Sequence, residues 1–222
     1  AYGNDVYKQV TKMKTAVVVD VLKHHLDVIW CDPDIVLYRP FVADLMAGEH
    51  DFQLQNNNPT SLETNLLKTN SGFYYVRSTQ WVIAALSAVV VHASKSAESE
   101  QMSWNAVLCA EQDASKDQCF YEGNVLQFLN RAKYATGNEA DVAWEQVKGH
   151  TQPKTLIAWH NNWITGYDAK LERLAQIDQL WWDAEWGHCA SSDERKMMNR
   201  YFKQQRLTAV FTSWGDWPKY LS

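Results

Sequence analysis

The chain has 222 residues, 46% of them apolar and 21% charged, which suits one folded globular domain and argues against a disordered chain. A formal charge of -5 and an isoelectric point near 5.8 argue against a nucleic-acid binder, so any phosphate must be held by local groups. No stretch has the length of a membrane span; the most apolar helix candidate, Trp81 to Val91, is too short.

In chain order, apolar residues at Met13, Val17, Val18, Val21, Leu22 and Leu26 predict a helix packed on one face. It leads into Val28 to Tyr38, an apolar run that reads as one buried strand interrupted by Asp32 and Asp34 around Pro33. Two carboxylates are costly in a sheet interior unless something compensates them. Pro33 keeps Asp32 extended and sends both side chains to one side of the strand, a pair suited to a hard divalent cation. An Asp-x-Asp alone is weak, since about one arises by chance in a chain of this composition.

After Arg39-Pro40 a short helix is expected through Phe41, Leu45 and Met46, ending near Gly48, with Pro40 in its first turn. Asp51 to Gln55 alternates as a half-buried strand, and Asn56-Asn57-Asn58-Pro59-Thr60 reads as a surface turn. Asn70-Ser71-Gly72 feeds the strand Phe73 to Val76, and Ser78 or Thr79 caps the helix Trp81 to Val91. That polar triplet is either an ordinary strand entry or a set of donors for a ligand at the sheet edge.

A helix follows from Ser99, marked by Met102, Trp104, Val107 and Leu108. A further helical pattern runs through Phe120, Val125, Leu126 and Leu129, with Asp117 as an N-cap or first-turn carboxylate. The strand Thr155 to Trp159 ends on His160, an imidazole placed as a possible metal ligand; Gly166 allows a phosphate near the backbone and Lys170 offers positive charge. The end of the chain carries Trp181, Trp182, Trp186, Trp214 and Trp217 and a charged helix from Asp193 to Arg206, read as a Trp-rich extension over 181–222. Most of the 11 Trp and 10 Tyr are assigned to packing, although such rings also stack on sugars or bases. Cys31, Cys109, Cys119 and Cys189 lack Cys-x-x-Cys spacing, so neither a zinc site nor a disulfide framework is indicated, and the redox compartment stays open.

Four ordered blocks carry a resemblance: Trp30-Cys31-Asp32-Pro33-Asp34 with Arg39-Pro40, Asn70 to Thr79, Asp117-Gln118, and Trp159 to Gly166 with Lys170. Together they resemble the nucleotide-diphospho-sugar transferase family of retaining glycosyltransferases, over about Tyr2 to Leu180. The resemblance implies an α/β fold of GT-A type, a mixed sheet flanked by helices, and a single domain over 1–222. It implies transfer of a sugar from a nucleotide-sugar donor to a glycan or glycoprotein acceptor with Mn²⁺ or Mg²⁺, in the Golgi lumen. By the same resemblance Asp32, Asp34 and His160 hold the metal, Gly166 and Lys170 meet the diphosphate, Asn70, Ser71, Gly72 and Gln118 line the donor, and Asp117 is the acidic residue near the transferred sugar. Family members place a strand, a helix and a strand ahead of the helix at Met13. Here 31 residues precede Asp32, so that base-binding unit is expected to be missing. The rival reading is a non-catalytic sugar- or metal-binding relic of the fold. A two-metal phosphohydrolase lacks the further carboxylates or histidines it would need.

Overall fold

The computed structural model describes residues 5–58, 67–138, 144, 147, 155–176, 182–183 and 188–189. Its first helix, α1 (Asp5–Lys23), buries Val18, Val19 and Leu22 against α3 (Gln80–Lys95) and against α4 (Glu100–Leu108), which starts after Ser99. Of the stripe expected from Met13 to Leu26, Val18 and Leu22 are buried, Met13 is exposed, and Leu26 lies exposed beyond the helix, which begins two turns earlier than expected. Among the described residues no helix is long and apolar enough to cross a membrane.

These three helices cover one face of a six-stranded mixed sheet, in the order β1 (Val28–Cys31), β4 (Thr69–Val76), β3 (Phe52–Asn56), β7 (Asn124–Phe128), β6 (Gln118–Tyr121), β5 (Glu111–Asp113). β3 and β7 run parallel and the other neighbours antiparallel. Period-two alternation along β4 sends Tyr74 and Val76 into the helix-side core, and Phe73 and Tyr75 into a second core with Leu45 and Tyr134. Both faces of β3 are covered, so the half-buried pattern expected for it is replaced by five buried residues.

A second, three-stranded sheet lies against that other core, in the order β2 (Ile35–Leu37), β9 (Ala158–His160), β8 (Tyr134–Ala135). The short helix α2 (Val42–Met46) contributes Leu45, with Pro40 two residues ahead of its first turn rather than in it. α5 (Tyr167–Gln176) follows the loop after β9. All of this belongs to one unit, Ala1–Gln179. The other unit, Leu180–Ser222, holds the strand pair β10 (Trp182–Asp183) and β11 (His188–Cys189). The charged helix expected from Asp193 to Arg206, and Trp181, Trp186, Trp214 and Trp217, lie outside the described residues.

Four expectations need correction. The run from Val28 to Tyr38 is two strands in different sheets, joined by a turn in which Ile35 N–H donates to the Asp32 carbonyl at 3.1 Å. Proline has no N–H for a ladder, so Pro33 ends one sheet and the chain re-enters another. The helix expected beyond Asp117 is the hairpin of β6 and β7: Glu122 (φ 49°) and Gly123 (φ 79°) form a two-residue turn whose twist matches paired strands. Asp117 is accordingly not a helix cap; it is a left-handed residue (φ 53°) ending the 3-10 turn Ala114–Lys116. Asn56 and Asn58, expected on the surface, are buried, while Pro59 and Thr60 lie outside the described residues. A disulfide not indicated by spacing joins Cys109, just past α4, to Cys119 in β6. Only the fold brings those two elements together.

Candidate functional site

The turn between β1 and β2 puts Asp32 and Asp34 where the two sheets meet. Asp32 N–H donates to the Gly72 carbonyl at 2.8 Å, continuing the pairing of β1 with β4. On the other side Ile35 is paired with His160, and Asn161 N–H donates to the Asp34 carbonyl at 2.8 Å. One ligand atom from each of Asp32, Asp34 and His160 therefore falls within 4.8 Å of the others. His160 Nε2 is 3.3 Å from Asp34 Oδ1, with both side chains largely buried.

Gly72 makes this approach possible. A Cβ there would overlap His160 Cε1 and come within 2.9 Å of Asp32 Oδ2 and 3.0 Å of Asn70 Oδ1. The triplet Asn70-Ser71-Gly72 is thus part of the site wall: Asn70 Oδ1 accepts from Gly72 N–H at 2.8 Å, and the Ser71 hydroxyl donates to Glu100 Oε2 at 2.7 Å.

Two ammonium groups compensate the carboxylates. Lys14 Nζ donates to both oxygens of Asp32 at 3.2 Å and to the Ser71 carbonyl at 3.0 Å, and Trp30 Nε1 donates to Asp32 Oδ1 at 2.7 Å. Lys170 Nζ donates to Asp34 Oδ2. Burial alone would raise the Asp34 carboxyl, but His160 and Lys170 outweigh it and hold the group well below the usual carboxylate range. Asn161, fully buried, donates through Nδ2 to the Lys170 carbonyl at 3.1 Å, so both ends of the loop 161–170 are fastened at Asp34. Gly166 (φ 106°) supplies the positive dihedral just before α5, where Lys170 N–H returns to its carbonyl at 3.2 Å.

Asp117 and Gln118 do not join this group. Asp117 pairs with Arg131 at 3.4 Å, and Gln118 donates to Gln127 Oε1 at 3.0 Å. Asp117 lies immediately before β6, where its carbonyl accepts from Phe128 N–H at 2.8 Å. An acidic residue that does pack against this group is Glu100, 2% exposed at the start of α4. It accepts from Thr15 Oγ1 at 2.5 Å and from Ser71 Oγ. Burial raises its carboxyl most strongly, against the lowering influence of Lys14 and the two hydroxyls.

A carboxyl raised in the folded state contributes stability that is full below the ordinary carboxylate range and lost as the pH climbs through the raised value. Ionising Glu100 in its buried place therefore costs stability rather than adding to it. Glu100→Gln should leave Tm within about 2 °C, whereas Glu100→Ala, which strips two buried hydroxyls of their acceptor, should cost about 3 kcal/mol. Thermal denaturation of the pair measures this, and an equal loss in both would mean that the charge itself holds the pocket.

Sequence reasoning missed Lys14, Gln55, Glu100 and the steric role of Gly72. Glu100 follows Ser99, where the helix is expected to begin, and reads as a dipole-favoured acid, and Gln55 reads as the wet side of a half-buried strand. Gln55 is in fact fully buried. It donates through Nε2 to the Ala135 carbonyl at 2.6 Å and faces His160 Nδ1 with Oε1 at 3.1 Å.

The donor set of two carboxylates and one imidazole fits a first-row divalent ion better than an all-oxygen site would. The sequence model for nucleotide-diphospho-sugar transferases matches residues 1–174. The chain is 34% identical over 199 residues to "Beta-arabinofuranosyltransferase RAY1" of Arabidopsis thaliana, covering 85% of this chain and 37% of that protein. It is 24% identical over 198 residues to "UDP-galactose:fucoside alpha-3-galactosyltransferase" of Dictyostelium discoideum, covering 82% of this chain and 29% of that protein. The chain thus spans about a third of the length of these curated relatives.

Proposed function

This chain belongs to the nucleotide-diphospho-sugar transferase family, and from that membership we propose that it transfers a sugar from a nucleoside-diphosphate donor to an acceptor hydroxyl, with a divalent metal and retention of configuration, in a fold of GT-A type. The observation that carries the reading is the meeting of Asp32, Asp34 and His160, drawn from two sheets and more than a hundred residues apart in sequence, with Lys170 on Asp34.

The reaction must stabilise negative charge that grows on the departing diphosphate as the anomeric bond breaks. A bound Mn²⁺ or Mg²⁺ would supply Lewis-acid stabilisation of that charge, held by Asp32, Asp34 and His160. Lys170, one third exposed, can exchange its carboxylate partner for a phosphate oxygen, while Lys14, more deeply buried between Asp32 and Ser71, stays to orient Asp32. Gly166, whose Cβ position is open, lets phosphate approach the backbone. Asn70, Ser71 and Gly72 form the wall against which the donor sugar rests. UDP-sugars, pentose or galactose, are the first donors to consider from the names of the relatives, and the acceptor is a glycan or glycoprotein. The Cys109–Cys119 disulfide supports an oxidising lumen, such as the Golgi, as the site of action.

The experiment is a donor-hydrolysis panel of UDP-arabinofuranose, UDP-galactose and a GDP-sugar, each with Mn²⁺ and with chelator. Release of nucleoside diphosphate that requires Mn²⁺ is expected with one of the UDP-sugars. Tight binding of Mn²⁺ and UDP without release from any donor would leave a non-catalytic binding domain.

A further inference from the structure

Gln55 is a fully buried amide in the centre of the large sheet, and its two ends are not interchangeable. The Ala135 carbonyl, 2.6 Å away, can only accept, so Nε2 of Gln55 must face it. That leaves Oε1, an acceptor without a proton, 3.1 Å from His160 Nδ1. A hydrogen bond exists there only if Nδ1 carries the proton. The reverse amide orientation would set two oxygens 2.6 Å apart in a buried place. β8 and β9 are parallel neighbours, with Ala135 beside Trp159, so the carbonyl that fixes the amide and the imidazole that reads it are held in one rigid frame.

The geometry points to Gln55 as a positioning residue that selects the ion: by fixing a proton on His160 Nδ1 it makes Nε2, the nitrogen turned toward Asp34, the one that gives up its proton to a nitrogen-accepting metal, and so favours Mn²⁺ over Mg²⁺. This rests on the metal reading above. Mg²⁺ prefers oxygen donors and retains water, whereas an imidazole nitrogen suits first-row transition ions. A histidine whose second nitrogen is held in this way is both oriented and committed to one tautomer. Without Gln55, the ring could turn, or put its proton on Nε2, the form preferred in free histidine, and the site would keep only its two carboxylates.

The test has a metal-free part and a metal part. Long-range ¹H–¹⁵N spectra of histidine-labelled, metal-free chain at about pH 9, above the ordinary imidazole range, with His160 assigned by its disappearance in His160→Asn, report the tautomer directly. The expected result is protonated Nδ1 in the wild type, lost in Gln55→Leu and in Gln55→Met, neither of which offers the ring an oxygen. Calorimetric titration with Mn²⁺ and with Mg²⁺ should then show the Mn²⁺ preference falling about tenfold or more in both variants. A wild-type His160 whose Nδ1 lacks the proton, or an undiminished Mn²⁺ preference in folded Gln55→Leu, overturns the inference. If Gln55→Leu does not fold, the wild-type tautomer and the Gln55→Met titration decide in the same terms. Mn²⁺ affinity untouched in His160→Asn would instead sink the metal reading beneath it, so the two failures are told apart.

Discussion

Asp34→Asn is expected to lower Mn²⁺ affinity and donor turnover by about 100-fold or more, because it removes the carboxylate on which His160 and Lys170 both converge. It should also destabilise the metal-free chain. The Asp34 carboxyl is held below its ordinary value by those two partners, so its contribution to stability is present above the unfolded value, about 3.9, and lost as the pH falls toward the depressed folded one. The Tm gap between wild type and Asp34→Asn should therefore be full near pH 7 and close progressively in acid. Asp117→Asn is the control: its carboxylate is half exposed, pairs with Arg131 and should leave Mn²⁺ affinity unchanged. Metal affinity retained in Asp34→Asn, or lost equally in Asp117→Asn, would overturn the assignment.

Gly72→Ala should be nearly as damaging although it removes nothing. The added methyl group would sit where the His160 ring and Asp32 Oδ2 now lie. The ring cannot simply move aside, since it is buried and tied to Gln55. The expected cost is about 1–3 kcal/mol of stability, together with a loss of Mn²⁺ affinity of about 10–100-fold. Melting curves and metal titrations of Gly72→Ala check both. A variant that melts and binds like wild type would show that the wall at Gly72 yields and does not set the ligand spacing.

What the sequence disclosed divides along physical lines. Helix α3 and the apolar half of β4, Phe73 to Val76, were legible because each is a continuous local pattern, whereas the triplet Asn70-Ser71-Gly72 reads as a turn and is in fact a buried part of that strand. The pairing of Asp32 and Asp34 was legible as chemistry but misplaced as structure: a run of apolar residues hides the change of sheet, and only the missing N–H of Pro33 hints at it. The hairpin at Glu122-Gly123 was hidden because Phe120, Val125, Leu126 and Leu129 also satisfy a helical spacing. The turn dipeptide, ending in a glycine that adopts φ 79°, was the stronger signal. Glu100, Lys14 and Gln55 were illegible for another reason. Each is a polar residue at a position that solvent usually occupies, and its burial involves partners distant in sequence: Ser71, 57 residues from Lys14, Thr15, 85 from Glu100, and His160, 105 from Gln55. The Cys109–Cys119 pair belongs to the same class: the register of β6 beside the end of α4 creates it, not the spacing of the cysteines.

The most direct test of the central claim is anomalous scattering at the manganese edge from crystals of the chain grown with Mn²⁺ and UDP. The account predicts one peak bounded by Asp32, Asp34 and His160, with the diphosphate on its open side and Lys170 Nζ turned from Asp34 to a phosphate oxygen. A peak elsewhere on the chain, or a diphosphate bound with no metal between these three residues, would contradict it.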